Sequence, residues 1–125
     1  MLALDYGTAR CGCAISDPSG TLVRPLAAIE PPDPKAVAEL VTAEGAERVI
    51  VGLPTTLAGE EGEQARLSRD FASELGRLLD VPVETYDERL TTRMAERSAR
   101  EGARADRDSL AAAHLLESYL MAGDG

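Results

Sequence analysis

Three carboxylates recur where apolar segments end or begin: Asp5 after Leu2-Ala3-Leu4, the pair Asp87-Glu88 after Val81 to Tyr86, and Asp108 at the opening of the last apolar helix. If those ends converge, they make an acidic pocket of hard oxygen donors, suited to magnesium or manganese above zinc. Two such ions about 4 Å apart activate a water and stabilise a leaving oxygen, which is the chemistry of phosphodiester hydrolysis. Other chemistries are poorly served. His114, the only histidine, falls by helical phase with Glu117 and Ser118 on the polar side of its helix, so it reads as a surface residue. Dinucleotide-type and Walker-type glycine loops are both missing.

Each acid competes with a structural role. Asp5, followed by Tyr6-Gly7, has the makings of a simple turn, yet it ends a central apolar strand, and Gly7 and Gly12 leave room for a ligand or a backbone to come close. Asp87 and Glu88 point to opposite sides of a strand, so only one of them faces the site. Glu88 is taken as the ligand, with Asp87 bonding the Thr91-Thr92 helix start; spacing alone leaves the choice between them open. Asp108 aligns with Ala111, Ala112, Leu115 and Tyr119 on the face that packs. An unpaired carboxylate there is costly unless a cation meets it, and Asp106 is the more natural helix cap.

The elements that must position these acids follow from the pattern of apolar runs and turn residues. Met1 to Asp5, Cys11 to Ser16 and Thr21 to Ile29 read as three strands joined by hairpins at Gly7-Thr8 and Asp17 to Gly20. Asp33 caps a helix with proline at its first position, running to about Glu44. Arg48 to Val51 is a β-branched strand closed by Gly52-Leu53-Pro54. A long helix follows from about Glu61 to Leu79, with Ala65, Phe71, Ala72, Leu75, Leu78 and Leu79 as its core stripe and acids in its first turn. Val81 to Tyr86 is the fifth strand. Two helices follow, from Thr91 or Thr92 to about Glu101 before Gly102, and from about Asp106 to Met121. The order predicts an α/β protein: a five-stranded mixed sheet, an antiparallel meander of three strands plus two parallel strands, flanked by helices. Sites in such sheets form beyond the carboxyl ends of the parallel strands, where Asp5 and Asp87-Glu88 lie.

A chain of 125 residues is expected to be one domain, 1–125. No apolar run is long enough for a membrane span, and the strand-like start does not resemble a signal peptide. The expectation is a soluble cytoplasmic protein without membrane contact. Cys11 and Cys13 share one strand face and read as buried, reduced thiols. The formal charge of −9 opposes nucleic-acid binding over the whole surface, so any such contact must be local. All basic residues except Lys35 are arginines, and Arg93, Arg97, Arg100, Arg104 and Arg107 are spaced to share one face of an unbroken helix. That stripe is either a solvated helix face or a phosphate contact.

Four motifs in order give the chain a family resemblance: Leu4-Asp5-Tyr6-Gly7-Thr8 with Arg10 and Gly12; Ile50-Val51-Gly52-Leu53-Pro54 with Gly59; Asp87-Glu88-Arg89-Leu90-Thr91-Thr92; and Asp108-Ser109-Leu110-Ala111-Ala112 leading to Leu116-Glu117-Ser118-Tyr119-Leu120. With these the chain resembles, nearly end to end, the YqgF (RuvX) proteins. That group of the ribonuclease H-like superfamily is described as Holliday junction resolvases or pre-16S ribosomal RNA nucleases. The resemblance implies a ribonuclease H-like fold, an acidic site carried onto Asp5, Glu88 and Asp108, and trimming of the small-subunit ribosomal RNA precursor. Two departures stand out. The segment between the Thr-Thr motif and the last aspartate is shortened to Arg93 to Arg107, and Cys11 and Thr55-Thr56 replace the residues usual in the family.

Together these readings lead to a magnesium- or manganese-dependent nuclease in which Asp5, Glu88 and Asp108 hold metal while Arg10 and Arg89 contact neighbouring phosphates. The partner is nucleic acid, either structured precursor ribosomal RNA or branched DNA, as for a Holliday junction resolvase. A non-catalytic RNA-binding factor in ribosome assembly is the alternative of another class. Monomer and homodimer both remain open.

Overall fold

The computed structural model describes residues 1–17, 19–20, 22–54, 62–87 and 107–122, with 107, 108 and 122 described for their backbone only. Five strands are present: β1 (Leu2–Tyr6), β2 (Cys11–Ser16), β3 (Val23–Ile29), β4 (Val49–Leu53) and β5 (Val83–Asp87). The helices are α1 (Pro34–Glu44), α2 (Glu63–Leu78) and α3 (Arg107–Ala122). The strands form one sheet in the order β3-β2-β1-β4-β5. β1 runs antiparallel to β2, and β2 to β3. β4 runs parallel to both β1 and β5, so the expected meander plus two parallel strands is what forms.

Strand alternation divides the core between the two faces of the sheet. Leu2 and Leu4 of β1, Cys11, Cys13 and Ile15 of β2, and Val49 and Val51 of β4 pack with Val37 and Val41 of α1 and Phe71 and Leu75 of α2. Ala3, Ala14 and Ile50 project to the other face, onto Ala112, Ala113, Leu115 and Leu116 of α3. The central strands are buried on both sides, which is why their sequences read as continuous apolar runs and not as alternating ones. Both cysteines are buried and unbridged, as expected.

Local signals set α1. The Asp33 side chain accepts a hydrogen bond from the Lys35 amide at 3.0 Å, Pro34 occupies the first turn, and Gly45 ends the helix in the left-handed region at φ 67°. Other boundaries shift. β4 continues to Leu53, and β5 starts at Val83, just after the Pro82 carbonyl accepts from the Val49 amide at 2.9 Å. In α2 the interior stripe includes Ser68, whereas Leu78 stands 47% exposed. Glu63 is the one acid of its first turn, and Gly62 caps without a side chain.

The reading of His114 as a surface residue is corrected, since it is only 9% exposed. Residues 112–116 of α3 are all buried, because the helix lies across β1, β2 and β3. The predicted helix from Thr91 or Thr92 to Glu101 lies outside the described residues. Among the described residues, no helix is long and apolar enough to cross a membrane.

Candidate active site

Asp5 is the fourth residue of β1 and lies near its carboxyl end, half-buried. Alternation puts it on the α3 face with Ala3. Its direct partner on β2 is Gly12. On the other side the described register ends at Leu4 with Val51, and the next residue of β4 is Gly52. The positions beside Asp5 across the sheet therefore carry no side chains.

The β1–β2 hairpin fixes that strand end. The Gly7 amide donates to the Arg10 carbonyl at 2.9 Å, and a side chain at Gly7 would place its Cβ 2.9 Å from that same oxygen, so the close approach here is one of backbone. Arg10 projects from the hairpin and pairs through Nε with Glu30 at 3.4 Å. Behind Asp5, the Tyr6 ring packs on Phe71 with centroids 4.5 Å apart, and the Tyr6 carbonyl accepts from Gln64 Nε2 at 3.1 Å.

Asp108 is the second residue of α3, and its backbone is placed by its neighbour. Ser109 is fully buried, and its hydroxyl oxygen accepts a hydrogen bond from the Cys13 amide at 3.3 Å. The contact falls where the β2–β3 register shifts between Cys11 and Cys13. Cys13 adjoins Gly12, and Gly12 faces Asp5. The start of α3 is thus docked one residue from the strand position opposite Asp5.

On β5, Tyr86 faces α3: its ring meets that of Tyr119 edge-on at 5.5 Å, and its hydroxyl shares a hydrogen bond with Ser118 Oγ at 3.2 Å. Asp87 follows on the opposite side, paired in register with Leu53. Glu88 and Arg89 lie outside the described residues, as do Arg93, Arg97, Arg100 and Arg104 and the side chains of Arg107 and Asp108.

The far end of α3 is held by a second polar contact, which the sequence reading missed along with Ser109. Tyr119 Oη donates to Glu84 Oε2 at 2.7 Å and accepts from Arg48 Nη1 at 3.2 Å, while Arg48 also pairs with Glu84. The bond to Glu84 holds the Tyr119 phenol above its ordinary range, and the bond to Tyr119 together with the Glu84 charge raises the Arg48 guanidinium. On the α1–α2 side, a hydrogen bond from the Cys11 thiol lowers the Cys13 thiol.

Among the described residues, no group of three or more histidine, cysteine or acidic side chains is close enough to hold a metal ion. The donor chemistry around Asp5 nonetheless suits a hard cation. Both thiols point to the other face of β2, which leaves an oxygen donor flanked by glycine positions.

This sheet order, with two helices on one face and the closing helix on the other, is a ribonuclease H-like fold, and it sets an aspartate at the end of its first strand. The chain belongs to the RuvX family, described as Holliday junction resolvases, whose family model matches residues 1–122. A relative from Rubrobacter xylanophilus, named "Putative pre-16S rRNA nuclease", is 44% identical over 100% of this chain and 94% of its own. A relative of the same name from Chloroflexus aurantiacus is 42% identical over 98% of this chain and 86% of its own. Thermus thermophilus RuvC, solved with a Holliday junction substrate, superposes with a TM-score of 0.64 at 16% identity, over 98% of this chain and 96% of that one. The fowlpox virus Holliday junction resolvase gives 0.53 at 13% identity, over 98% and 99%. At such identities the likeness is one of fold.

Proposed function

We propose that the chain is a metal-dependent nuclease acting in the cytoplasm on the precursor of 16S ribosomal RNA, with Asp5, Glu88 and Asp108 holding magnesium or manganese. The observation that carries this reading is the docking of the start of α3, through Ser109, beside the strand position opposite Asp5. It links Asp108, distant in sequence, to the strand end that bears Asp5. The choice of Glu88 over Asp87 is supported by alternation within β5: Asp87 follows the α3-facing Tyr86 and so falls on the face away from Asp5.

The bound ions would supply an activated water and charge neutralisation at the leaving oxygen. The protein's part is to hold three carboxylates together and to hold the substrate. Arg10 stands at the same strand end as Asp5 and is suited to a backbone phosphate, with Arg89 as its counterpart. Water adds to phosphorus, the bond to the leaving oxygen breaks, and that oxygen takes up a proton. The RNA substrate is supported by the names of the relatives, and so is the cytoplasm, since precursor ribosomal RNA is an intracellular substrate.

Cleavage of a structured precursor RNA with magnesium, by the wild type and Asp5→Asn, tests the reading. Loss of cleavage in the variant is expected; equal activity in the two proteins would sink it. A second reading, cleavage of branched DNA, is favoured by the family's description. Competition between precursor RNA and a four-way DNA junction, each at limiting enzyme, separates the two.

A further inference from the structure

We infer that Ser109 is a positioning residue for the acidic site, setting the rotation of α3 so that Asp108 meets Asp5. The inference rests on the reading of Asp5, Glu88 and Asp108 as metal ligands. Its own basis is the bond from the Cys13 amide to Ser109 Oγ, which joins residues 96 apart in sequence and is wholly buried.

The surroundings explain why one hydroxyl matters. Around Ser109 the interface between α3 and the sheet is small and apolar, with Ala112 and Ala113 of the helix over Ala3 and Ala14 of the strands. Alanine against alanine fills space without fixing the angle of one element on the other. A turn of the helix by one residue is about 100°, enough to present a different residue to the strand end. A directed hydrogen bond from a rigid strand amide removes that freedom. A hydroxyl in such a place is also costly to bury without its partner, so the bonded orientation is the one that persists. Because Ser118 and Tyr119 hold the other end of α3 to Tyr86, Glu84 and Arg48, losing the Ser109 bond should loosen the first turn and leave the helix docked.

The test uses the full chain with Ser109→Ala and, as a near-isosteric variant whose thiol is a weaker acceptor, Ser109→Cys. Manganese binding is read without nucleic acid from the electron paramagnetic resonance signal of the free ion. Steady-state cleavage of structured RNA and thermal melts accompany it. Removing a group that orients a ligand typically weakens metal binding about tenfold or more. Ser109→Ala is expected to show that weakening, with kcat reduced about tenfold, KM for RNA within about twofold of wild type, and a melt shifted by a few degrees at most. If Ser109→Ala does not fold, a severalfold weakening of manganese binding in folded Ser109→Cys supports the inference. Wild-type manganese affinity in either folded variant overturns it, as does a loss of activity that merely tracks the folded fraction. Asp5→Asn serves as the control: if that variant keeps both manganese binding and cleavage, the site assignment itself has failed, whatever the Ser109 variants do.

Discussion

Asp5 and Gly12 are direct cross-strand partners, so the proposed metal ligand on β1 faces a residue with no side chain. Opposed Cβ atoms in an antiparallel pair lie about 4.5–5.5 Å apart. A methyl group at Gly12 would therefore stand beside the carboxylate, in the space a hydrated cation needs. Gly12→Ala is expected to lower kcat about tenfold or more and to raise the magnesium concentration needed for half-maximal rate. Rate measurements across a magnesium titration check it; an unchanged titration would mean that the glycine serves packing alone.

Gly7 has a different task. Its missing side chain lets the hairpin close against the Arg10 carbonyl, which an added Cβ would approach to 2.9 Å. Backbone cannot yield as a flexible side chain can, so Gly7→Ala should destabilise the fold by about 1–3 kcal/mol, the range for an overpacked contact. Urea unfolding of the two proteins measures the difference.

Arg10 is expected to act on substrate. Its partner Glu30 is 58% exposed and the pair is separated by 3.4 Å, a geometry that contributes little to stability. Arg10→Ala is expected to weaken nucleic-acid binding severalfold and to flatten the dependence of log K on log salt by about one charge. Binding isotherms at several salt concentrations provide the slope; an unaltered slope would remove Arg10 from the phosphate contacts.

Tyr119 predicts an alkaline limit. Its phenol is held above the ordinary value, first by its bond to Glu84, so the folded state retains the proton more strongly than the unfolded chain. The resulting stabilisation is complete below about pH 10, the unperturbed phenol value, and is lost as pH rises through the higher folded value. Tyr119→Phe should cost about 0.5–1.5 kcal/mol near neutrality, and the gap between the two proteins should close above pH 10. Urea unfolding from pH 8 to 11 follows it.

The parts of the fold that were legible are those written locally. α1 is complete in the sequence because Asp33, Pro34 and Gly45 each act within one turn of where they stand. The order of the sheet was legible too, since alternating apolar runs and helices leave few right-handed topologies. His114 was misjudged because helical phase assumes that a helix buries one stripe, and α3 spans three strands. Ser109 and the Tyr119, Glu84 and Arg48 group escaped notice because each joins elements far apart in the chain. A serine beside a proposed ligand at a helix start was the available sign of the first. Of the site itself, the sequence placed Asp5 and Arg10 at one strand end, where both are found, while Glu88 lies outside the described residues.

The hydrogen bond between Cys13 and Ser109 also sets an order of events during synthesis. A nascent chain that has released Asp5 but not yet Ser109 lacks the helix that covers its first hairpin. The α3-facing surface of the first hairpin, Ala3 and Ala14 included, therefore stays uncovered until residues 107–122 have been made.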